Sequence, residues 1–392
     1  MRALILMMVC LVSSLGALTL EEKRNLIHYG VEGLIQSVDE AALVGMEVYS
    51  FDEGATLYER NAKSRFVPAS SLKLFTAGAV LEYLGGNDCF ETRVAVDGEM
   101  KKGTLMGNCY LVGSGDPSLT GIDLVDLVEQ MGDLQKIEGD VVLDVTCFED
   151  GPMGPGWMWD EGSDAWAAPM SALNIEHNCL EEQAVSHPEE LTAALFKGIL
   201  DRKGIKVTGK VKLGKVIEGA TVVARHLSQP MKELIKVAVK DTDNLYANCL
   251  FKKLGPSWEK GKERMEEFLL QTIGKNSIVM VDGSGLSRYN AVAPHEMVEF
   301  LKKMKSNSLF IDSLAIGGVD GTLKYRMGMI PKKVRGKTGS MTGVSSFCGY
   351  VTTNTGKEFA LAIFVSGYVK EGREIKKKLE DGICQLLVNL QD

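Results

Sequence analysis

The chain lacks the marks of several common function classes. Its five histidines, His28, His177, His187, His226 and His295, are scattered, and no H-E-x-x-H or comparable ligand spacing occurs, so no metal site is legible. It has no excess of positive charge: 44 Lys+Arg stand against 52 Asp+Glu, a net charge of −8, which argues against a general nucleic-acid binder. It contains no C-x-x-C. After the N-terminal apolar run, no second one is long enough to span a membrane. The glycine cluster Gly113-Ser114-Gly115-Asp116-Pro117 lacks G-x-x-G spacing and a Walker lysine, and its proline follows closely, so it reads as a turn and not as a phosphate loop.

What is there is an ordinary globular composition, with 45% hydrophobic and 24% charged residues in 392, enough for a large core and two domains. The N-terminus has the form of an export signal over residues 1–17: Arg2, an apolar run over 3–12, then Ser13-Ser14-Leu15-Gly16-Ala17. Cys10 lies inside the run behind bulky Met8 and Val9, which argues against a lipoprotein site. An exported, periplasmic or extracytoplasmic protein is expected; an uncleaved leader would leave room for peripheral membrane association. Seven cysteines remain beyond the leader, an odd number, so at least one thiol is free or pairs between chains. Pairing of Cys89 with Cys109, or Cys147 with Cys179, is open, as is the oligomeric state.

Periodicity predicts an amphipathic helix over 20–37, strands over 42–50 and 55–60 joined by Asp52-Glu53-Gly54, and a helix apolar all round, hence buried, from about residue 70 to Gly85-Gly86. From about Cys89 short strand-like runs follow (91–96, 104–112, 139–144, 206–213), with a helix over 189–203. Helices return over 231–239, 245–254, 257–271 and 294–305. The chain closes with strands over 333–341, 344–352 and 359–366 and a helix over 372–388. The cluster Trp157, Trp159 and Trp166, beside Asp160 and Glu161, fits a binding wall and a packed loop equally well.

Three stretches carry chemistry. In Pro68-Ala69-Ser70-Ser71-Leu72-Lys73, a serine and a lysine three apart share one helix face, and burial disfavours a charged lysine, so Ser70 and Lys73 pair a nucleophile with a base. The alternative is a capping serine beside a snorkelling lysine. Lys240-Asp241-Thr242-Asp243-Asn244 breaks two apolar helices with a polar turn, a natural place for groups facing a cleft. Lys337-Thr338-Gly339 lies on a strand, where an interior glycine marks close approach of a ligand or backbone, and its lysine and threonine suit an anionic carboxylate; an edge strand with an exposed lysine is the bland alternative.

Together, S-x-x-K opening a buried helix, a hydroxyl-x-Asn turn and K-T-G on a strand form the active-site signature of penicillin-recognising serine enzymes. The chain resembles the class C low-molecular-mass penicillin-binding proteins, the D-alanyl-D-alanine carboxypeptidase/endopeptidases, over nearly all residues beyond the leader. Further carriers are Gly113–Pro117, Pro155-Gly156-Trp157, Asp282-Gly283-Ser284-Gly285-Leu286-Ser287 and Gly318-Val319-Asp320-Gly321-Thr322-Leu323.

The resemblance implies an α+β fold: a penicillin-binding, serine β-lactamase-like domain with an antiparallel sheet flanked by helices (18–88 plus 225–392), and a β-rich domain inserted over 89–224. It implies Ser70 as acylated nucleophile, Lys73 as base aided by the field of Lys337, and Thr242 as the hydroxyl relaying a proton to the leaving D-alanine. Asn244 would bind the substrate backbone. Lys337 and Thr338 would hold the terminal carboxylate, beside Gly339. The N–H groups of Ser70 and Ser340 would form the oxyanion hole, where a lost donor costs roughly 3–4 kcal/mol. Glu161 and Trp166, with Asp160 as the alternative acid, would meet the side-chain amine of the stem peptide. Peptidoglycan stem peptides would be the substrate and β-lactams covalent inhibitors, with no cofactor.

Two departures stand out. The second motif starts with Thr242 where the family has serine, and its methyl restricts χ1. The stretch 89–224 is short for the family's two nested insertions, so one is expected, with the second reduced or missing. Competing expectations are a β-lactamase, for which no deacylating glutamate is identifiable, and a non-catalytic cell-wall binder.

Overall fold

The computed structural model describes residues 18–158, 160, 163–369 and 371–391; the expected leader, 1–17, lies outside them. The first segment follows its periodicity. Helix α1 (Leu20–Val38) buries Ile27, Val31, Ile35 and Val38 on one stripe, and its N-terminus is closed by a capping box between Thr19 and Glu22. Strands β1 (Leu43–Ser50) and β2 (Ala55–Arg60) form the expected hairpin.

Beyond them, a short 3-10 turn (Ala69–Leu72) runs into α2 (Lys73–Tyr83), in which every residue from 73 to 81 is buried. Its low amphipathicity is therefore the mark of a central helix, packed by helices on several sides.

Residues 91–227 build two small sheets. Five strands, β3 (Glu91–Val96), β6 (Cys109–Val112), β8 (Val141–Asp144), β12 (Val211–Leu213) and β13 (Thr221–Leu227), order as β12-β8-β6-β3-β13. Four shorter ones, β4 (Glu99–Lys101), β5 (Thr104–Met106), β7 (Lys136–Ile137) and β11 (Lys206–Val207), order as β11-β7-β5-β4. The sequence runs 104–112 and 206–213, expected as single strands, are each divided between the two sheets. The break in the first comes at Asn108, whose N–H and side-chain amide both go to Asp97 instead of along the ladder. Helices α3 (Gly121–Gln130) and α4 (Pro188–Arg202) cover this unit. Helix α3 has no counterpart among the sequence expectations, although Thr120 and Asp123 form a capping box. Strand β13 crosses the expected boundary at 224/225: Arg225, His226 and Leu227 still pair with Arg93, Thr92 and Glu91. Two further two-residue strands, β9 (Cys179–Leu180) and β10 (Gln183–Ala184), pair with each other.

The chain then returns to the helical core with α5 (Met231–Lys240), α6 (Asn244–Leu254), α7 (Trp258–Ile273), α8 (Pro294–Met304) and α9 (Ser308–Ser313). It completes the main sheet with β14 (Ala315–Ile316), β15 (Val334–Met341), β16 (Val344–Thr352) and β17 (Glu358–Ser366), in the antiparallel order β14-β15-β16-β17-β1-β2. Strands β16 and β17 are buried along almost their whole length because both faces are covered. Phe347, Leu361, Ile363 and Val365 meet α1 and the C-terminal helix, while Cys348, Tyr350, Ala362 and Phe364 meet the helices around α2.

This is the α+β, β-lactamase-like architecture expected. All seven described cysteines are free, so neither Cys89–Cys109 nor Cys147–Cys179 forms a bridge. Among the described residues no helix is long and apolar enough to cross a membrane.

The C-terminal helix is interrupted. Between α10 (Gly372–Glu374) and α11 (Asp381–Val388), residues Ile375–Glu380 wind as a π-helix. Its last residue, Glu380, is fully buried; it accepts from Ser345 Oγ at 2.6 Å and from Arg326 Nη2 at 2.8 Å, and Arg326 also reaches Asp381. A buried carboxylate needs its counter-charge more than the pair needs to exist. Arg326→Ala is expected to cost about 3–5 kcal/mol, read as a lower urea midpoint, and Glu380→Gln in the same background to recover part of it; an unchanged midpoint would show that the Arg326–Glu380 contact does not stabilise the fold.

Candidate active site

The first motif sits where the 3-10 turn meets α2. In a 3-10 turn residues i and i+3 eclipse, closer than in an α-helix, and Ser70 Oγ lies 3.0 Å from Lys73 Nζ. The turn is tied to the main sheet: Ser71 Oγ and Ser346 Oγ are 2.8 Å apart, and Ser346 Oγ donates to Pro68 O at 2.7 Å. Two glycines permit this approach. A Cβ on Gly339 would stand 2.3 Å from Ser346 Oγ and 2.7 Å from Pro68 O. A Cβ on Gly285, whose φ is +83°, would stand 2.0 Å from Ala69 O. The glycine of K-T-G therefore serves contact between backbones.

Lys73 is fully buried. Its amine touches three oxygens: Ser70 Oγ, Asn244 Oδ1 at 2.6 Å and the Ser284 carbonyl at 2.7 Å. Burial pulls its pKa down to about 7, against the opposing pull of the Asp282 and Asp243 carboxylates. Burial is the depressing cause, as expected; the added help expected from the field of Lys337 is not among the influences on Lys73.

The second motif forms the turn between α5 and α6. Asp243 caps α6, accepting the N–H of Tyr246 at 2.9 Å. Thr242 has φ +65°, a left-handed conformation that is a genuine outlier for a β-branched residue. Its Oγ1 accepts from Lys337 Nζ at 2.7 Å, so the second and third motifs meet directly. Asn244 spans the site: its Oδ1 faces Lys73 and its Nδ2 donates to the Trp166 carbonyl at 2.8 Å.

The third motif lies on β15, the strand covered at one end by the two residues of β14. Lys337 is fully buried, not an exposed edge lysine. Burial, reinforced by the Lys73 charge, holds its pKa well below the ordinary lysine value. Thr338 Oγ1 donates to Thr322 Oγ1 at 3.0 Å, and a cavity of about 450 Å³ opens there, lined by Asp241, Val319, Asp320, Gly321, Thr322 and Lys324. Ser340 is exposed at the end of the motif.

The structure thus brings Ser70, Lys73, Thr242, Asn244, Lys337, Thr338 and Gly339 into one polar cluster. The tryptophans divide. Trp157 is a packed residue, donating Nε1–H to Asp282 Oδ2 at 2.9 Å and standing edge-on to Trp258. Trp166 is 45% exposed and joins the cluster through its backbone carbonyl. Asp160 is exposed; Glu161 and Trp159 lie outside the described residues.

Sequence reasoning assigned no role to Ser284, Asp282 or Thr322. Asp282, fully buried, organises the loop by accepting from the N–H groups of Gly285 and Ser287 and from Asn290 Nδ2, and so presents the Ser284 carbonyl to Lys73. The signal was the compact Asp282-Gly283-Ser284-Gly285, which reads equally well as any turn.

Because the Lys73 pKa is depressed, the folded chain binds fewer protons than the unfolded one between about pH 7 and 10, and stability rises with pH across that window. Urea midpoints are expected to climb there more steeply in the wild type than in Lys73→Met; parallel curves would contradict a depressed pKa. Thr242→Ser keeps the hydroxyl and removes the methyl from a strained conformation, so it is expected to raise stability by about 1 kcal/mol, measured by thermal unfolding; a loss of stability would mean the methyl is packed favourably.

The chain is similar to known proteins over most of its length. The model of the D-Ala-D-Ala carboxypeptidase 3 (S13) family matches residues 30–186 and 181–390. The chain is 27% identical over 438 aligned residues to D-alanyl-D-alanine carboxypeptidase DacB of Haemophilus influenzae, covering 90% of this chain and 91% of the relative. It is 28% identical to a D-alanyl-D-alanine carboxypeptidase of an Actinomadura species, covering 84% and 78%. The crystal structure of penicillin binding protein 4 from H. influenzae superposes with a TM-score of 0.85 at 27% identity, over 92% of this chain and 99% of that one; the same protein has been solved in complex with a β-lactam.

Proposed function

The chain belongs to the D-Ala-D-Ala carboxypeptidase 3 (S13) family, and from that premise we propose that it is a serine DD-peptidase that hydrolyses the D-Ala-D-Ala termini of peptidoglycan stem peptides, and their cross-bridges, through an acyl-enzyme on Ser70. The single observation that carries the roles is the contact set of Lys73. A neutral amine has two N–H donors and one lone pair. Asn244 Oδ1 and the Ser284 carbonyl are pure acceptors and take both donors. The lone pair is left for Ser70 O–H, the arrangement a general base needs.

Ser70 Oγ attacks the carbonyl carbon of the penultimate D-alanine as its proton passes to Lys73 Nζ. The N–H groups of Ser70 and Ser340 stabilise the oxyanion that forms. Collapse breaks the peptide bond, and the departing amine takes the proton back along Lys73 and the Thr242 hydroxyl, which Lys337 orients. Water then attacks the ester and frees Ser70. Asn244 binds the substrate backbone. The terminal carboxylate lies against Lys337 and Thr338. Its negative charge raises the depressed Lys337 pKa, and the cation so created favours a neutral Lys73. Substrate binding thereby prepares its own base. Asp160 or Glu161, with Trp166, meets the free amine of the stem peptide. The catalytic unit is formed by 18–88 plus the chain that follows β13, and the inserted unit runs from 89 to the end of β13 at Leu227, three residues beyond the expected 224. An export leader over residues 1–17 delivers the enzyme to a cell-wall compartment.

The test is intact-mass analysis of the mature protein after exposure to benzylpenicillin, beside Ser70→Ala. A penicilloyl adduct on the wild type alone is the expected result. A folded protein that gains no adduct and leaves the drug unconsumed would overturn the serine-peptidase reading in favour of a wall-binding protein.

A further inference from the structure

One polar contact ties a distant segment to the second-motif turn. His177 Nε2 lies 2.7 Å from Asp243 Oδ2, and Asp243 stands between Thr242 and Asn244. The other oxygen, Oδ1, accepts the N–H of Tyr246. The carboxylate is clamped on both sides, once by its own helix and once by the segment carrying β9.

That segment is built to hold the imidazole in place. Glu176, His177 and Asn178 have φ of 50°, 59° and 51°, three consecutive non-glycine residues in the left-handed region. Such backbone persists only where its surroundings over-determine it, and here they do. Glu176 Oε1 accepts the N–H of Gly121 at 2.8 Å. Asn178 Nδ2 donates to Pro169 O and to Asn174 Oδ1, both at 2.8 Å. The His177 ring stacks on Tyr246, with centroids 6.4 Å apart.

We infer that His177 is a positioning residue for the reaction: through Asp243 it holds the Thr242–Asn244 turn in register with Lys73 and Lys337, and its charge sets how strongly Asp243 acts on Lys73. The inference rests on the serine-peptidase reading of the site.

The charges around it give the sign. His177 faces the Asp243 carboxylate and the Tyr246 ring, and its Nδ1 lies 3.8 Å from Cys179 Sγ; Glu176 is engaged with Gly121. Burial disfavours the charged imidazole, but the Asp243 hydrogen bond and charge outweigh it and raise the His177 pKa. Lys73 is acted on by Asp282 and Asp243, which both favour its charged form, and its own charge bears on Lys337. A protonated His177 compensates Asp243. Without it, the full Asp243 field reaches Lys73 and stabilises the protonated amine, which cannot accept the Ser70 proton.

The experiment is the second-order rate of Ser70 acylation by benzylpenicillin as a function of pH, on the mature full-length protein, for wild type, His177→Gln, His177→Phe and Asp243→Asn, with a thermal midpoint for each. Asparagine caps a helix as well as aspartate, so Asp243→Asn keeps α6 closed. His177→Gln is expected to move the acid limb of the profile to higher pH, and Asp243→Asn to lower pH. His177→Phe keeps the ring but not the hydrogen bond, and is expected to slow acylation on the order of ten- to a hundredfold, the scale of a small misplacement, with its midpoint near the wild-type value. Acid limbs unmoved in both polar variants, limbs moved in the same direction, or rate losses that simply follow the thermal midpoints would each overturn the inference while the wild-type adduct leaves the peptidase reading standing. A wild type that takes no adduct would overturn both.

Discussion

Everything in the cleft depends on keeping the Lys73 amine out of water while leaving it three oxygens to face. An ammonium in a dry interior is costly, and the cost falls on the charged form, so burial pulls the pKa of this lysine down to about 7. The surrounding fold can be understood as what that burial requires. Helix α2 is enclosed on all sides, the loop at Asp282 supplies a fixed carbonyl acceptor, and Asn244 arrives from α6.

The close approach of the elements follows from small residues and shared hydroxyls. Ser71, Ser346 and the Pro68 carbonyl form a short chain that fastens the 3-10 turn carrying Ser70 to β16, and Gly285 and Gly339 leave room for it. The main sheet is held from its far side by α1 and the C-terminal helix. There Arg326, Glu380 and Ser345 connect the π-helical turn to the strand beside β15. Although Asn61, Lys102, Met327 and Lys332 are left-handed elsewhere, part of the backbone strain lies around the polar cluster, where Ala69, Thr242 and the run Glu176–Asn178 are all left-handed. Each is over-determined by hydrogen bonds or packing, as expected where geometry matters more than local stability.

The inserted unit is more than a separate cover. Its sheets have their own core, yet Trp166 meets Asn244, His177 meets Asp243 and Trp157 meets Asp282. Asn244 touches the Lys73 amine, Asp243 adjoins Asn244, and Asp282 organises the loop whose Ser284 carbonyl touches that amine. The inserted unit is thereby joined by direct hydrogen bonds to the loops around the Lys73 amine.

The sequence by itself determined most of the long helices and strands outside the insertion and the identity of the three motifs, but not α9, β14 or the π-helical turn. Those signals are local: an all-round apolar run means a buried helix, two-residue alternation means strands, and S-x-x-K or K-T-G needs only neighbouring residues to be recognised. Local pattern was ambiguous where a run was divided between sheets, as at Asn108, or where a strand continued past a boundary, as at Arg225. Side-chain partners across long sequence gaps are invisible to periodicity, so the roles of Ser284, Asp282, Thr322 and His177 were not legible. Only the tertiary structure decided that Lys73 is dry, that Lys337 points inward to Thr242, and that Trp157 packs while Trp166 stays exposed. Burial and electrostatic coupling depend on what else occupies the same space, and a linear pattern does not contain that.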